Sequence, residues 1–580
     1  MAARRGPKSR KPSQSGSPAG PWYMTGQRPP APEPVAYAQH GSCDLDGSTE
    51  RLRTYIRAEL LPAFPFKDAR FASLPSSDGV DRISLLPDEL LSNIVSRLYV
   101  TEAAGTALLA SRWRRVWHSA PLVLSDAYIS PIRRGSRSTA AAVSYILEAH
   151  PGPFRCVHLV SSRMGSRQAQ LARWIELLAA KGVQELVLVN RPLPLDVPLP
   201  ATLFGITTLT RLYISLWKFP DVARLPRGTS FPHLLELGIC SVVMEDGDIE
   251  TVVARSPVLE ILNIQGSNNG LRLRLVSQSI RCVQICGSVL ENITVVKAPQ
   301  LDRLILEAPR GNTGGLCTRI IIGDAPKLHA LGILKPGNHI VETRGIVSGI
   351  KASPTTMVTS VKTLSLNVRF GNRDDVKMVP SFLRCFPNLE KLHIISGKCD
   401  FEAGSARLNL KFWESARPTE NVKSCIKVFS FREFRGEIGE VAFIKFFFRN
   451  ARVLENASIV TANPSFTPFC TNEAFSKASK ASDKAASKSD LHMVLLGSTG
   501  PDGGRLWSFR KGADYTFDDP FLSSAGARQE NWRVNPAIYV AVSASFAIRV
   551  PTLVALPCEL CGYLWPGVGY VRIRNINTME

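Results

Sequence analysis

The 580-residue chain reads as a mixed α/β protein. It is predicted to have a disordered basic N-terminal tail, a small helical block, and a curved solenoid of stacked short strands closed by a strand–helix–strand unit. Three observations carry that reading. A leucine frame recurs through the middle of the chain at a near-constant period. A compact run with helical apolar spacing precedes it. Apolar residues make up 44% and charged residues 21% of the chain, so most of it can bury a core, while its length exceeds what one compact core holds.

Residues 1–77 are rich in Pro and Gly and lack sustained periodicity, apart from room for a short helix around Arg51–Leu60. Basic residues cluster from Arg4 to Lys11, and the first acidic residue is Glu33. Such a segment cannot bury enough apolar surface to order itself, so it is expected to be a disordered tail. No apolar leader is seen there.

The helical block follows, over 78–128. Pro87 suits the first turn of a helix, and Asp88 and Glu89 favour its positive end. Pro87, Leu90, Leu91, Ile94, Val95 and Leu98 then recur as one wide apolar stripe. Second and third helical patterns cover Glu102–Ala110 and the run with Trp113, Val116 and Trp117. About 45 residues lie near the lower size limit for an independent core, so part of this stripe is expected to face another protein.

These residues resemble an F-box, in the plant form that opens D-R-I-S-x-L-P-D-E-L-L and ends near R-W-R-x-x-W. Here the opening stands as Asp81-Arg82-Ile83-Ser84-Leu85-Leu86-Pro87-Asp88-Glu89-Leu90-Leu91, and the end as Arg112-Trp113-Arg114 with Trp117. The chain departs from the family at Leu98-Tyr99, where Leu-Pro is usual. It departs again at Leu109-Ala110-Ser111-Arg112-Trp113, where Leu-Ser-Arg-Arg-Trp is usual. The resemblance implies that Leu86, Pro87, Leu90 and Ile94 meet a Skp-type adaptor. Trp113 and Trp117 are read as core or interface, with core preferred for at least one of them.

Over 150–400 the frame Pro-x-Leu-x-x-Leu-x-Ile/Leu recurs, as at Pro232/Leu234/Leu237/Ile239 and Pro387/Leu389/Leu392/Ile394. Its central positions are 186, 212, 237, 262, 283, 304, 331, 364 and 392, mostly 21 to 28 residues apart. That is the leucine-rich-repeat period. Alternating residues of each short strand point inward, and stacked strands share the core that one strand cannot build alone. Asp246–Ser256 reads as a helix between two frames. An extra copy at Leu290/Ile293/Val295 predicts that residues 270–310 hold strands without intervening helices.

The unit at 420–460 alternates as a strand over Ile426–Phe431, runs through an apolar helix at Glu440–Asn450 and returns to a strand by Ile459. Its Asn450-Ala451-Arg452-Val453-Leu454-Glu455 run resembles the FBD module of plant F-box proteins. It is expected to seal the open end of the solenoid against Leu392, through Val428, Phe443 and Phe447. Residues 461–521 end in a segment, 506–521, that resembles the usual C-terminus of grass members of this family. Residues 522–580 read as an unrelated extension.

Lys477, Lys480, Lys484 and Lys488 recur at helical spacing and read as a solvated face. The formal net charge is +21, but the basic residues are spread thinly, which disfavours a nucleic-acid partner. No stretch is long and apolar enough to predict a membrane span. The scattered cysteines suit reduced thiols, and the lone Cys558-x-x-Cys561 lacks the second pair a zinc site needs. His158, His329 and His393 read as structural or exposed, and Asp374-Asp375 and Asp518-Asp519 as solvated turns. No phosphate loop, metalloprotease motif or nucleophile elbow occurs.

Taken together, the resemblance implies a non-catalytic substrate receptor of an SCF-type ubiquitin ligase, working in nucleus or cytoplasm without a cofactor. The adaptor would link it to cullin and RING subunits, and the repeats would hold a target protein. The alternatives are a repeat-based binding module without ligase coupling and, less favoured, a basic nucleic-acid-binding protein.

Overall fold

The computed structural model describes residues 83–522, except 127–128, 130–138, 161–163, 165–166, 191–196, 222–224, 226–227, 267–269, 289, 308–316, 344–356, 399–408, 463–471, 483–484, 487–490 and 497–508. The tail 1–77, Asp81-Arg82, Lys484 and Lys488, Cys558 and Cys561, and the extension past Leu522 lie outside the described residues.

The helical block forms α1 (Asp88–Val95), α2 (Val100–Thr106) and α3 (Ser111–Ser119). Pro87 caps α1 and leaves Asp88 and Glu89 in its first turn. The second helix is shorter than its pattern suggested, because residues 107–109 turn away from the axis. Strand β1 (Leu122–Ser125) follows at once and pairs in parallel with β2 (Phe154–Leu159), beyond α4 (Thr139–Ala149). Leu91, Val95, Trp113 and Val116 belong to the same buried cluster as the repeat leucines. The block is therefore not a separate core, as the apolar pattern alone suggested, but the first layer of the solenoid.

After α5 (Gln168–Ala180) come β3 (Glu185–Val189), β4 (Arg211–Ser215), β5 (Glu236–Cys240), α6 (Asp248–Ala254) and β6 (Ile261–Gln265). The frame centres stand in one register: Leu186 opposite Leu212, then Leu237, then Leu262. Each of these leucines is 2% exposed or less. Burying a leucine contributes about 1.5–3 kcal/mol, so the column is the axis of the fold.

The next stretch exchanges helices for strands. β7 (Leu271–Val276), β9 (Leu290–Lys297), β11 (Thr318–Asp324) and β13 (His339–Thr343) alternate along the chain with β8 (Cys282–Cys286), β10 (Arg303–Glu307) and β12 (Ala330–Leu334). The even-numbered strands continue the main sheet, and the odd-numbered ones form a second, four-stranded parallel sheet. Leu290, Ile293 and Val295 belong to that second sheet, which explains an extra frame copy spaced too closely for a full repeat. The leucine column continues through Val283, Leu304 and Leu331.

β14 (Thr363–Val368), α7 (Arg373–Cys385) and β15 (Lys391–Ser396) restore the strand–helix rhythm. Asn372 caps α7, accepting from the amides of Asp374 and Asp375. The acidic pair divides there: Asp374 is solvated, but Asp375 is 1% exposed and bonds Arg369 at 2.8 and 2.9 Å. Both were expected in solvent; the helix start turns one inward onto an arginine.

Helices α8 (Asn409–Ser415) and α9 (Glu420–Ser424) lead into β16 (Val428–Phe434), α10 (Ile438–Asn450) and β17 (Asn456–Thr461). β16 pairs with β15, Leu392 opposite Phe429 and Lys391 opposite Val428. Behind it the aromatics interlock, with Phe429 stacked on Phe447 at 4.2 Å and Trp413 edge-on to Phe443 at 5.0 Å. The sheet does not close there, however. Past α11 (Asn472–Ser482), where Lys477 pairs with Glu473, β18 (His492–Leu496) adds a further parallel strand to β17. All fourteen strands of the main sheet are parallel neighbours in one series. Last among the described elements is α12 (Phe509–Ala513).

Candidate functional site: an apolar helix face and the second face of the sheet

Helix α1 is apolar on two sides, one facing the core and the other facing solvent. Leu91 and Val95 are fully buried, whereas Leu90 is 51% and Ile94 40% exposed. Leu86 is half-buried against the core, and Pro87 is exposed. The four residues singled out from sequence therefore lie along one turn and the helix that follows it. Ile83 and Leu85, before α1, are exposed as well, and so are Leu108 (88% exposed) and Leu109 (68%) on the turn after α2. Ile83 and Leu85 precede the apolar stripe, and Leu108 and Leu109 fall in the helical pattern over Glu102–Ala110 but past the Thr106 end of α2, which leaves them on a turn.

Arg112 fixes the turn before α1. Its guanidinium donates to the carbonyls of Ser84 and Leu86, both at 2.6 Å, and to Asp88 Oδ1 at 2.7 Å. Trp113 points into the core at 7% exposure. Trp117 is half-buried, edge-on to His150 at 4.9 Å, and His150 in turn meets Phe154 at 5.3 Å. Both tryptophans thus serve packing, and Trp117 joins the block to β2. Tyr99, in place of the usual proline, uses its backbone N–H to meet Glu102 at 3.4 Å, and it bridges to Val123 of β1. A proline has no N–H for that bond.

The main sheet turns its leucine column to one face. On the opposite face, residues two apart on a strand stand side by side. Cys156 and His158 do so, and Glu185 is the register partner of Cys156. Cys156 Sγ lies 3.1 Å from His158 Nε2 and 3.2 Å from Glu185 Oε1, and the last two atoms are 2.9 Å apart. His158, read from sequence as structural or exposed, is buried with a cysteine and a carboxylate at ligand spacing. The i, i+2 cysteine was legible; the carboxylate came from the neighbouring strand. This is the one group among the described residues that brings three potential metal ligands together. Those donors already bond one another, and Glu185 Oε2 also meets Arg211 at 3.3 Å. Burial pushes the Glu185 carboxyl up, but His158, Cys156 and Arg211 outweigh it and hold it at about 2. Burial and the adjacent Glu185 raise the Cys156 thiol well above its usual range.

The same face carries Arg211 to Glu236, Glu236 to Asn263 at 3.3 Å, and Asn263 to Gln284 at 2.9 Å. The C-terminal segment lies on its later part. Gln284 donates to the Phe509 carbonyl at 2.9 Å. Gly512 sits so close to Gln284 that a Cβ there would fall 2.0 Å from its Oε1. Arg303, 2% exposed, donates to the carbonyls of Gly512 (2.8 Å), Asp514 (3.0 Å) and Phe517. Asp519, expected in solvent, is 4% exposed and meets His393 Nε2 at 2.8 Å, while Asp518 pairs with Lys391. Contacts more than a hundred residues apart in sequence cannot be read from local composition.

Comparison with known proteins gives two family matches. Residues 171–394 match the leucine-rich repeats of the FBD-associated F-box protein At5g56370, and residues 415–459 match the FBD module. Relatives are found in Arabidopsis thaliana. F-box/FBD/LRR-repeat protein At1g13570 is 29% identical over 32% of this chain and 44% of its own length. Putative F-box/FBD/LRR-repeat protein At1g22000 is 27% identical over 34% of this chain and 42% of its own length, so the chain spans less than half of these two relatives. F-box/LRR-repeat protein 13 is 23% identical over 66% of this chain and 90% of its own length.

Proposed function

We propose that this chain, a member of the plant F-box/FBD/LRR-repeat family, is the substrate-recognition subunit of an SCF-type ubiquitin ligase. Its helical block docks on a Skp-type adaptor, and through it on cullin and RING subunits, while the repeats hold a target protein. The observation that carries the reading is the solvent-facing side of α1. Leu90 and Ile94 are exposed there, on a small block that also exposes Leu85, Leu108 and Leu109 and whose other side is already packed in the core. Large apolar side chains left exposed in such number on one small block suit a protein interface. No bond chemistry is assigned to the chain: its contribution is to hold target lysines close to a charged ubiquitin carrier. The described cysteines form no disulfide, which suits work in nucleus or cytoplasm.

The test is affinity for a Skp-type adaptor. Leu86→Ala with Pro87→Ala should weaken binding at least about tenfold, equivalent to about 1.4 kcal/mol, with circular dichroism unchanged. Unchanged affinity in the folded double variant removes these residues from the interface. Absence of any adaptor affinity in the unmutated protein leaves the uncoupled binding module as the reading.

A further inference from the structure

We infer that the second face of the sheet from β8 to β15 is a peptide-binding site, held in this structure by the chain's own residues 509–521. The segment it is built to take from a partner has the same chemistry: an aromatic ring followed by an acidic pair and a second aromatic. The inference rests on the reading that the repeats hold a target protein, and it specifies where and by what chemistry.

The occupant shows what the face recognises. Tyr515 lies under two guanidinium groups, with Arg281 Cζ 3.9 Å and Arg303 Cζ 4.4 Å from its ring centre. Aromatic faces attract cations at this range. Arg303 spends two of its nitrogens on main-chain carbonyls of the segment, a mode indifferent to side-chain identity and suited to any chain that turns there. Lys391 and His393, two apart on β15, take the successive carboxylates Asp518 and Asp519. Phe521 and Phe509 are buried in an apolar cluster with Tyr213, Ile305, Ala330 and Ile333.

The manner of attachment distinguishes an occupant from a part of the scaffold. Among the described residues, 509–521 adds no strand to the sheet. It is held by side chains reaching up from β8, β10 and β15, several of them charge-assisted, and it leaves the leucine column on the other face untouched. The leucine column and the cluster that holds Phe509 and Phe521 are separate, so the segment can leave and a partner segment of like chemistry can take its place without dismantling the column.

The experiment uses the full chain and a fluorescein-labelled synthetic peptide of residues 506–522. Tyr515→Ala, Asp519→Asn and Phe521→Ala together should release the resident segment. The peptide should then bind this variant at least about tenfold more tightly than the unmutated chain. Adding Arg303→Ala should abolish the gain. Hydrogen exchange on the unmutated chain should show amides 514–521 opening well before those of β8 and β10. The inference is overturned by equal peptide binding to both proteins, by none to the released variant, by a variant that unfolds, or by equal protection of segment and strands. Adaptor affinity measured on the same proteins separates the two readings, since it tests the helical block alone.

Discussion

Leu90 and Leu91 are neighbours in sequence with opposite surroundings, and their substitutions should behave accordingly. Leu91→Ala removes a fully buried side chain and should cost about 2–5 kcal/mol in denaturant unfolding. Leu90→Asp alters a side chain already half in solvent, so stability should stay within about 0.5 kcal/mol. Adaptor affinity should nevertheless fall steeply, because a carboxylate would be buried unpaired in the complex. Arg112 provides a third contrast. Arg112→Lys keeps the charge but cannot span Ser84, Leu86 and Asp88 at once. Adaptor binding should weaken because the turn that carries Leu85, Leu86 and Pro87 loosens while its apolar side chains stay the same, measurable by calorimetry on the same panel.

Elements were legible in the sequence wherever a local pattern decided them. The period of the leucines placed every frame centre from Leu186 to Leu392 in the register the sheet adopts. The Pro-Asp-Glu start placed α1. What the pattern missed was decided by distant partners. Local composition makes Asp519 a solvated turn residue, but His393, on another element, bonds it in the interior. Glu185 completed the Cys156–His158 pair from the next strand. The second sheet was half visible, as an extra frame copy whose spacing forbade a helix.

The junction between block and repeats offers a test at this scale. Burial, with Lys181 nearby, lowers the His150 ring to about 4 from its usual 6.5. The folded state therefore binds fewer protons than the unfolded state between those values. Stability should fall as pH drops through that window, by about 2–3 kcal/mol from this group. His150→Gln should flatten that part of the curve, read as the difference in unfolding midpoint between pH 7 and pH 4.5.

At the scale of the whole molecule, the helical block and the repeats share one continuous buried cluster. The proposed adaptor-docking and target-holding surfaces therefore belong to a single body. Leu304→Ala, in the middle of the leucine column, should cost about 2–5 kcal/mol. It should also make the amides of Trp113 and Trp117 exchange sooner, read by hydrogen exchange, although both lie in the helical block and not in the repeats. Two separate transitions for block and repeats would contradict the shared core.

The exchange of helices for strands between β6 and β14 also has a mechanical consequence. Adjacent helices need about 8–10 Å between axes, whereas adjacent strands need about 4.8 Å. A coil backed by helices is thus wider behind than in front and must bend. A coil backed by strands has equal spacing on both sides and runs straight, cross-braced by hydrogen bonds in both layers. The span from β7 to β13 should be a rigid girder between two arcs. The distance from α1 to the last strands would then be set by that girder's length and would vary little with temperature or load, giving the proposed ligase a fixed reach.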